Sequence, residues 1–129
     1  MQKLPVIVIL LFGLLFTGCG LAAPNGSAAT GRDVTIDQAL ADWKNNSAII
    51  LDVRTPGEYA EGHIPGAKLI PLDQLSNRLS EVPQKGKIYI ICRSGNRSNQ
   101  AVSLLRDKGF SNVYNVTSGM NSWKGPVEK

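Results

Sequence analysis

Two runs of this chain are apolar almost without a break: Ala48-Ile49-Ile50-Leu51-Asp52-Val53 and Ile88-Tyr89-Ile90-Ile91. Uninterrupted runs of this length suit strands buried on both faces of a parallel sheet. Residues 67–70 and Val113-Tyr114-Asn115-Val116 predict two further strands. Between the runs, apolar residues recur at helical spacing. Ile36, Leu40 and Trp43 predict a helix over 36–45, opened by the capping box Thr35-Ile36-Asp37-Gln38, with Trp43 as core packing. Thr55-Pro56-Gly57-Glu58 predicts a helix start with Pro at its first position, kept short by Gly62 and Pro65-Gly66. Leu72, Leu75 and Leu79 predict a helix over 72–79. Ala101, Leu104 and Leu105 predict another over 99–108, ended by Gly109. Residues 118–123 predict a short closing helix. Strands alternate with helices throughout. The fold class is therefore α/β: one domain, a central parallel sheet of about five strands, helices on both faces and right-handed crossovers.

The first quarter of the chain has a different pattern. Lys3 precedes an apolar stretch from Val6 to Phe16, too short to span a bilayer comfortably, and Thr17-Gly18-Cys19 follows. Residues 1–18 read as a secretory signal of the bacterial lipoprotein type, although Phe16 stands where Leu is usual. Cleavage before Cys19 would make that cysteine the lipidated N-terminus. The alternatives are cleavage near Ala22-Ala23 or Ala28-Ala29, which releases a soluble protein, and an uncleaved anchor. Residues 19–32 are rich in Ala, Gly, Ser, Asn and Pro and predict a flexible tether. The domain occupies 33–129. The expected location is the periplasmic side of a bacterial membrane, held there by lipid.

Charge narrows the partners. The formal net charge is +4, and +3 once Lys3 leaves with the signal. The basic residues are scattered without aromatic interleaving, which argues against a nucleic-acid surface. The surplus suits anionic small molecules. The chain has two cysteines and one histidine and no C-x-x-C, so no metal site and no cofactor are expected. With Cys19 lipidated, Cys92 is the only thiol of the mature protein and no internal disulfide can form.

Cys92 carries the candidate chemistry. It ends a buried strand and opens the turn Cys92-Arg93-Ser94-Gly95-Asn96-Arg97-Ser98, with a helix next. Ligands of open α/β sheets sit beyond the carboxyl ends of the strands. Asp52 and Arg54 end the other apolar strand and should lie on the same edge. Backbone N–H groups of the turn, the helix N-terminus and the charges of Arg93 and Arg97 all favour thiolate over thiol. The bland alternative is a small buried cysteine filling the core, which accounts poorly for the arginines, serines and glycine that follow it.

Several segments in order resemble the rhodanese family of single-domain sulfurtransferases. They are Leu51-Asp52-Val53-Arg54, Glu58-Tyr59, Gly62-His63-Ile64-Pro65-Gly66-Ala67, Tyr89-Ile90-Ile91-Cys92 with its turn through Ser98, Gly109-Phe110, Asn112-Val113, and Gly119 with Trp123. The resemblance implies that Cys92 takes the outer sulfur of a small anionic donor such as thiosulfate as a persulfide. It then hands that sulfur to cyanide, a thiol or a protein acceptor. Ser94, Gly95, Asn96 and Ser98 would line the cradle, and Arg93 and Arg97 would hold the donor or orient the loop. Arg97 could instead pair with Asp52, and Ser98 could simply cap the helix. Asp52 and Arg54 are implied to brace the site. His63 lies in what looks like a structural turn, and a thiolate formed by its own loop needs no base. Ser118 departs from the family pattern, standing where a glycine is common.

A cysteine phosphatase or arsenate reductase is the nearest rival enzyme. That chemistry wants five residues between Cys and Arg, to clamp a tetrahedral oxyanion. Here four separate Cys92 from Arg97, a smaller cradle better suited to one sulfur atom. A persulfide carrier or sulfur sensor serving a protein partner would use the same cysteine without steady turnover.

Overall fold

The computed structural model describes residues 31–129. The signal, Cys19 and all but the end of the tether lie outside the described residues.

Five strands form one parallel sheet: β1 (Asp33–Val34), β2 (Ile49–Asp52), β3 (Lys68–Leu69), β4 (Ile88–Ile91) and β5 (Val113–Val116), in the order β1-β5-β4-β2-β3. Four helices alternate with them: α1 (Ile36–Lys44), α2 (Pro56–Glu61), α3 (Leu72–Leu75) and α4 (Asn96–Asp107). The predicted α/β class and sheet hold. Every residue of β4 is buried, as its unbroken apolar run requires. Side chains alternate across it. Ile88, Ile90 and Cys92 join Leu51, Leu75, Val102 and Leu105 on the face covered by α3 and α4. Tyr89 and Ile91 join Ile50, Ala39 and Ile64 on the face of α1 and α2, where Trp43 and Trp123 meet edge-on. The period-two alternation thus aims Cys92 at α4.

The caps behave as the residues predict. The Thr35 hydroxyl accepts from the Gln38 N–H at 3.1 Å. Thr55 and Glu58 complete a reciprocal capping box with Pro56 in the first turn. Three elements differ from expectation. β1 has two residues, one exposed, and so lacks any periodicity; it exists because Asp33 and Val34 pair with Asn115 and Val116. The predicted helix over 72–79 is a single turn, followed by a separate 3₁₀ turn at Leu79–Glu81. Asn77 and Arg78 donate back only three residues, to the carbonyls of Gln74 and Leu75. α4 starts at Asn96, a turn before the expected 99, and the reason lies in the site itself.

Candidate active site

β4 ends at Ile91, so Cys92 sits at the carboxyl edge of the sheet, next to the end of β2. The chain then turns sharply at Gly95, whose φ of 95° is costly for any side chain. α4 begins there with no side chain capping it. The acceptor that a cap would supply is the Cys92 sulfur. It receives the Gly95 N–H at 3.1 Å and the Ser98 N–H at 3.3 Å, and the Ser98 hydroxyl lies 3.3 Å away. The sulfur takes up the Gly95 N–H at the cap and the Ser98 N–H of the first turn, so the helix starts a turn early. Ser98 is therefore not the cap. It is the third residue of α4, fully buried, with its hydroxyl between Cys92 and Asn115.

These bonds set the acidity of the thiol. Burial pushes it up. Against that, the Ser98 hydroxyl and the N–H groups of Ser98, Gly95 and Ser94 stabilise the anion, and the balance lies below the ordinary thiol value. Cys92 is 0% exposed, at the bottom of its loop, while Arg93, Ser94 and Asn96 form the exposed rim. Among the described residues it is the one free cysteine.

A second segment clamps the loop from below. The Met120 N–H donates to the Cys92 carbonyl at 2.8 Å and the Asn121 N–H to the Arg93 carbonyl at 2.9 Å. Gly119, at φ 53°, has no room for a side chain, because a Cβ would overlap that Cys92 carbonyl. Ser118, the departure from the family pattern, adopts the left-handed conformation at φ 65° that glycine reaches without cost. Its backbone nitrogen would lie 3.2 Å from a Cβ on Gly95.

The arginines are arranged differently from expectation. Arg97 does not pair with Asp52. It grips Glu58 through two bonds of 2.7 and 2.9 Å, and Arg93 adds a third at 3.1 Å. Asp52 belongs to Arg54, which donates to it from its backbone N–H, Nε and Nη2 at 2.7–3.0 Å, and to the Gly62 carbonyl at 2.9 Å. This second pair is buried, at 0% and 5% exposure. Asp52 and Arg54 thus fasten β2 to the end of α2, and α2 presents Glu58 to the loop. The acidity of Cys92 comes from hydrogen bonds of its loop; Glu58 answers one of the two arginine charges and is shared between them. His63 stacks on Tyr59 at 3.6 Å and bonds the Tyr59 carbonyl at 2.9 Å, with Glu128 beside its other nitrogen.

Glu58 is the site residue that motif reading passed over. Its signal was present: Glu58-Tyr59 is one of the segments that carry the resemblance, with no site role attached to it, and in the structure Glu58 also closes the capping box of α2. Its carboxyl is held well below the usual carboxylate range, by Arg97 first, against the upward push of burial, with Arg93 and Thr55 assisting. The folded-state pKa lies below the unfolded one. The stabilisation is therefore present above the unfolded Glu value of about 4.3 and is lost as pH falls through the folded value. Glu58→Gln should cost about 1–2 kcal/mol at pH 7. Urea melts at successively lower pH should show the gap to wild type closing once pH falls below about 4. A gap that stays constant in acid would refute the assignment.

A doubly wound sheet with a buried cysteine cradled by N–H groups at its carboxyl edge defines a cysteine-centred α/β domain. The rhodanese-like domain family matches residues 35–126, and the chain belongs to that family. It is 38% identical over 89 residues to the protein named sulfurtransferase of Allochromatium vinosum, covering 69% of this chain and 81% of that one. It is 44% identical over 84 residues to the Bacillus subtilis "Putative sulfur carrier protein YrkF", covering 65% of this chain and 45% of that protein, so it spans less than half of that relative's length. The crystal structure of a rhodanese-related protein from Thermoplasma volcanium superposes with a TM-score of 0.70 at 31% identity, covering 75% and 97% of the two chains. A rhodanese-like domain protein from Staphylococcus aureus gives 0.70 at 34%, covering 75% and 96%.

Proposed function

We propose that this protein is a sulfurtransferase working through a persulfide on Cys92. The observation that carries the proposal is the convergence of the Gly95 and Ser98 N–H groups and the Ser98 hydroxyl on one sulfur atom. The cradle fits a single anionic atom, first thiolate and then the inner sulfur of a persulfide. With thiosulfate as donor, the Cys92 thiolate attacks the outer sulfur. A new S–S bond forms, the donor's S–S bond breaks, and sulfite leaves with the electron pair. Cyanide or an acceptor thiolate then attacks the terminal sulfur and the Cys92 thiolate departs. Arg93, Arg97 and Glu58 together carry one surplus positive charge beside the loop, which suits an anionic donor. Arg93, whose side chain is 53% exposed and holds Glu58 by one bond against two from Arg97, is the arm better placed to meet it. Ser94 and Asn96 complete the rim, and Asp52 with Arg54 braces the site from behind. Ser98 stands where a phosphatase would carry its clamping arginine, and Arg97 engages Glu58 outside the loop.

A second version, a persulfide carrier that delivers sulfur to a protein, draws support from the complete burial of Cys92. Small donors reach the sulfur only when the rim yields, and a docked partner could open it. We further propose that the chain is exported and lipid-anchored at Cys19, with 19–32 as tether and 33–129 as the working domain on the periplasmic side. Intact mass after thiosulfate treatment tests the central claim. Wild type should gain about 32 Da, one sulfur, and Cys92→Ser should gain nothing. Repeated turnover with small donors identifies the enzyme; loading once and stalling identifies the carrier. Failure to load from any sulfane donor rejects both.

A further inference from the structure

Asn115 is a polar side chain in the middle of a buried strand, 5% exposed, with Val113 and Val116 beside it at 0%. Sulfur transfer as described makes no use of it. Its amide nonetheless joins two groups. The Nδ2 donates to Asp33 Oδ1 at 3.2 Å, across the β1–β5 pair that sets these residues side by side. The Oδ1 receives the Ser98 hydroxyl at 2.5 Å. An ionised carboxylate can only accept, so Asp33 dictates which end of the amide faces Ser98: the oxygen. A serine hydroxyl has one proton to donate. Ser98 has two neighbours that want it, Asn115 Oδ1 at 2.5 Å and an ionised Cys92 at 3.3 Å. It cannot serve both.

We propose that Asn115, oriented by Asp33, is a positioning residue that holds the Ser98 proton away from sulfur in the resting thiol and yields it when Cys92 becomes an anion. In the resting state Ser98 donates to Asn115 and accepts from the Cys92 S–H. On ionisation the S–H proton leaves to solvent. The Ser98 hydroxyl keeps its own proton and rotates it onto sulfur, and the Asn115 oxygen loses its donor. A buried oxygen left unpaired opposes that step, so Asn115 acts as a brake on thiolate formation. The idea rests on Cys92 being the nucleophile of the proposed sulfur transfer, but its test uses no sulfur donor. The charges around the sulfur are Arg93 and Arg97 with Glu58 from α2, Asp52 and Arg54 at the end of β2, and Asp33 on β1. Substitution at Asn115 changes none of them.

The experiment is a pH titration of thiolate ultraviolet absorbance in the full chain. The curve of the matching Cys92→Ser protein is subtracted to remove Cys19 and the tyrosines. Asn115→Leu should move the midpoint down by about 0.5–1 pH unit, giving about three- to tenfold more thiolate below the midpoint. In a Ser98→Ala background the same substitution should move nothing, because the brake acts only through that hydroxyl. An unchanged or raised midpoint, or an equal shift without Ser98, overturns the proposal. Should Asn115→Leu fail to fold, Asp33→Ala, at an exposed position, removes the acceptor and frees the amide to turn its Nδ2 toward Ser98. Its downward shift should survive high salt, which screens the lost charge; a shift that disappears in salt overturns the proposal equally.

Discussion

Cys92→Ser is expected to leave a folded domain that has lost at least about 10³-fold of its sulfur-transfer rate. The loss follows from the nucleophile. A serine hydroxyl is not ionised near neutral pH, and the Gly95 and Ser98 N–H groups that stabilise a thiolate cannot make up that difference. Retention of the fold follows from the other role of the same atom. The sulfur accepts the Gly95 and Ser98 N–H groups at the start of α4, and a serine oxygen can accept them too. Activity and stability should therefore separate: thiosulfate-to-acceptor turnover falls to background while the melting temperature stays close to wild type. Undiminished turnover would remove Cys92 from the mechanism.

Arg54→Met is expected to produce the largest loss of stability. It would strand the Asp52 carboxylate at 0% exposure with its main partner gone. Removing one member of a buried ion pair costs about 3–5 kcal/mol, because the remaining charge has neither water nor counter-ion. For a domain of this size that corresponds to a fall of roughly 15–30 °C in Tm. The damage should reach the site as well. Arg54 also holds the Gly62 carbonyl at the end of α2, and α2 carries the Glu58 that both loop arginines grip. The double variant Asp52→Leu/Arg54→Met should regain much of the lost stability, since an apolar pair can replace a buried ion pair at little cost. Calorimetry of the single and double variants checks both statements. A single variant that melts within a few degrees of wild type would contradict the description of this pair.

Much of this molecule is legible in its sequence. The apolar runs around Ile50 and Ile90 defined the two central strands, since a stretch with no polar side must be covered on both faces. Thr35, Thr55 and Pro56 announced helix starts through bonds that close within three residues. What was not legible involved contacts between distant segments. β1 exists only because Val116 and Asn115 are there to pair with it. Ser98 resembled a cap because nothing nearby in the chain revealed that the Cys92 sulfur already filled that office. Glu58 stood in a helix start, and nothing nearby in the chain revealed that Arg93 and Arg97 converge on it.

By itself, then, the amino-acid sequence determined the α/β class, the order of the elements and the placement of Cys92 at the carboxyl edge of a buried strand. Those follow from periodicity and local bonding, which are short-range properties of a chain. Only the tertiary structure decided which charge answers which: Arg97 with Glu58, Arg54 with Asp52, and the Ser98 hydroxyl between Cys92 and Asn115. Several side chains of suitable chemistry were available to each partner. Sheet order and register choose among them, because hydrogen bonds and ion pairs act over a few ångströms and distance along the chain says little about distance in space.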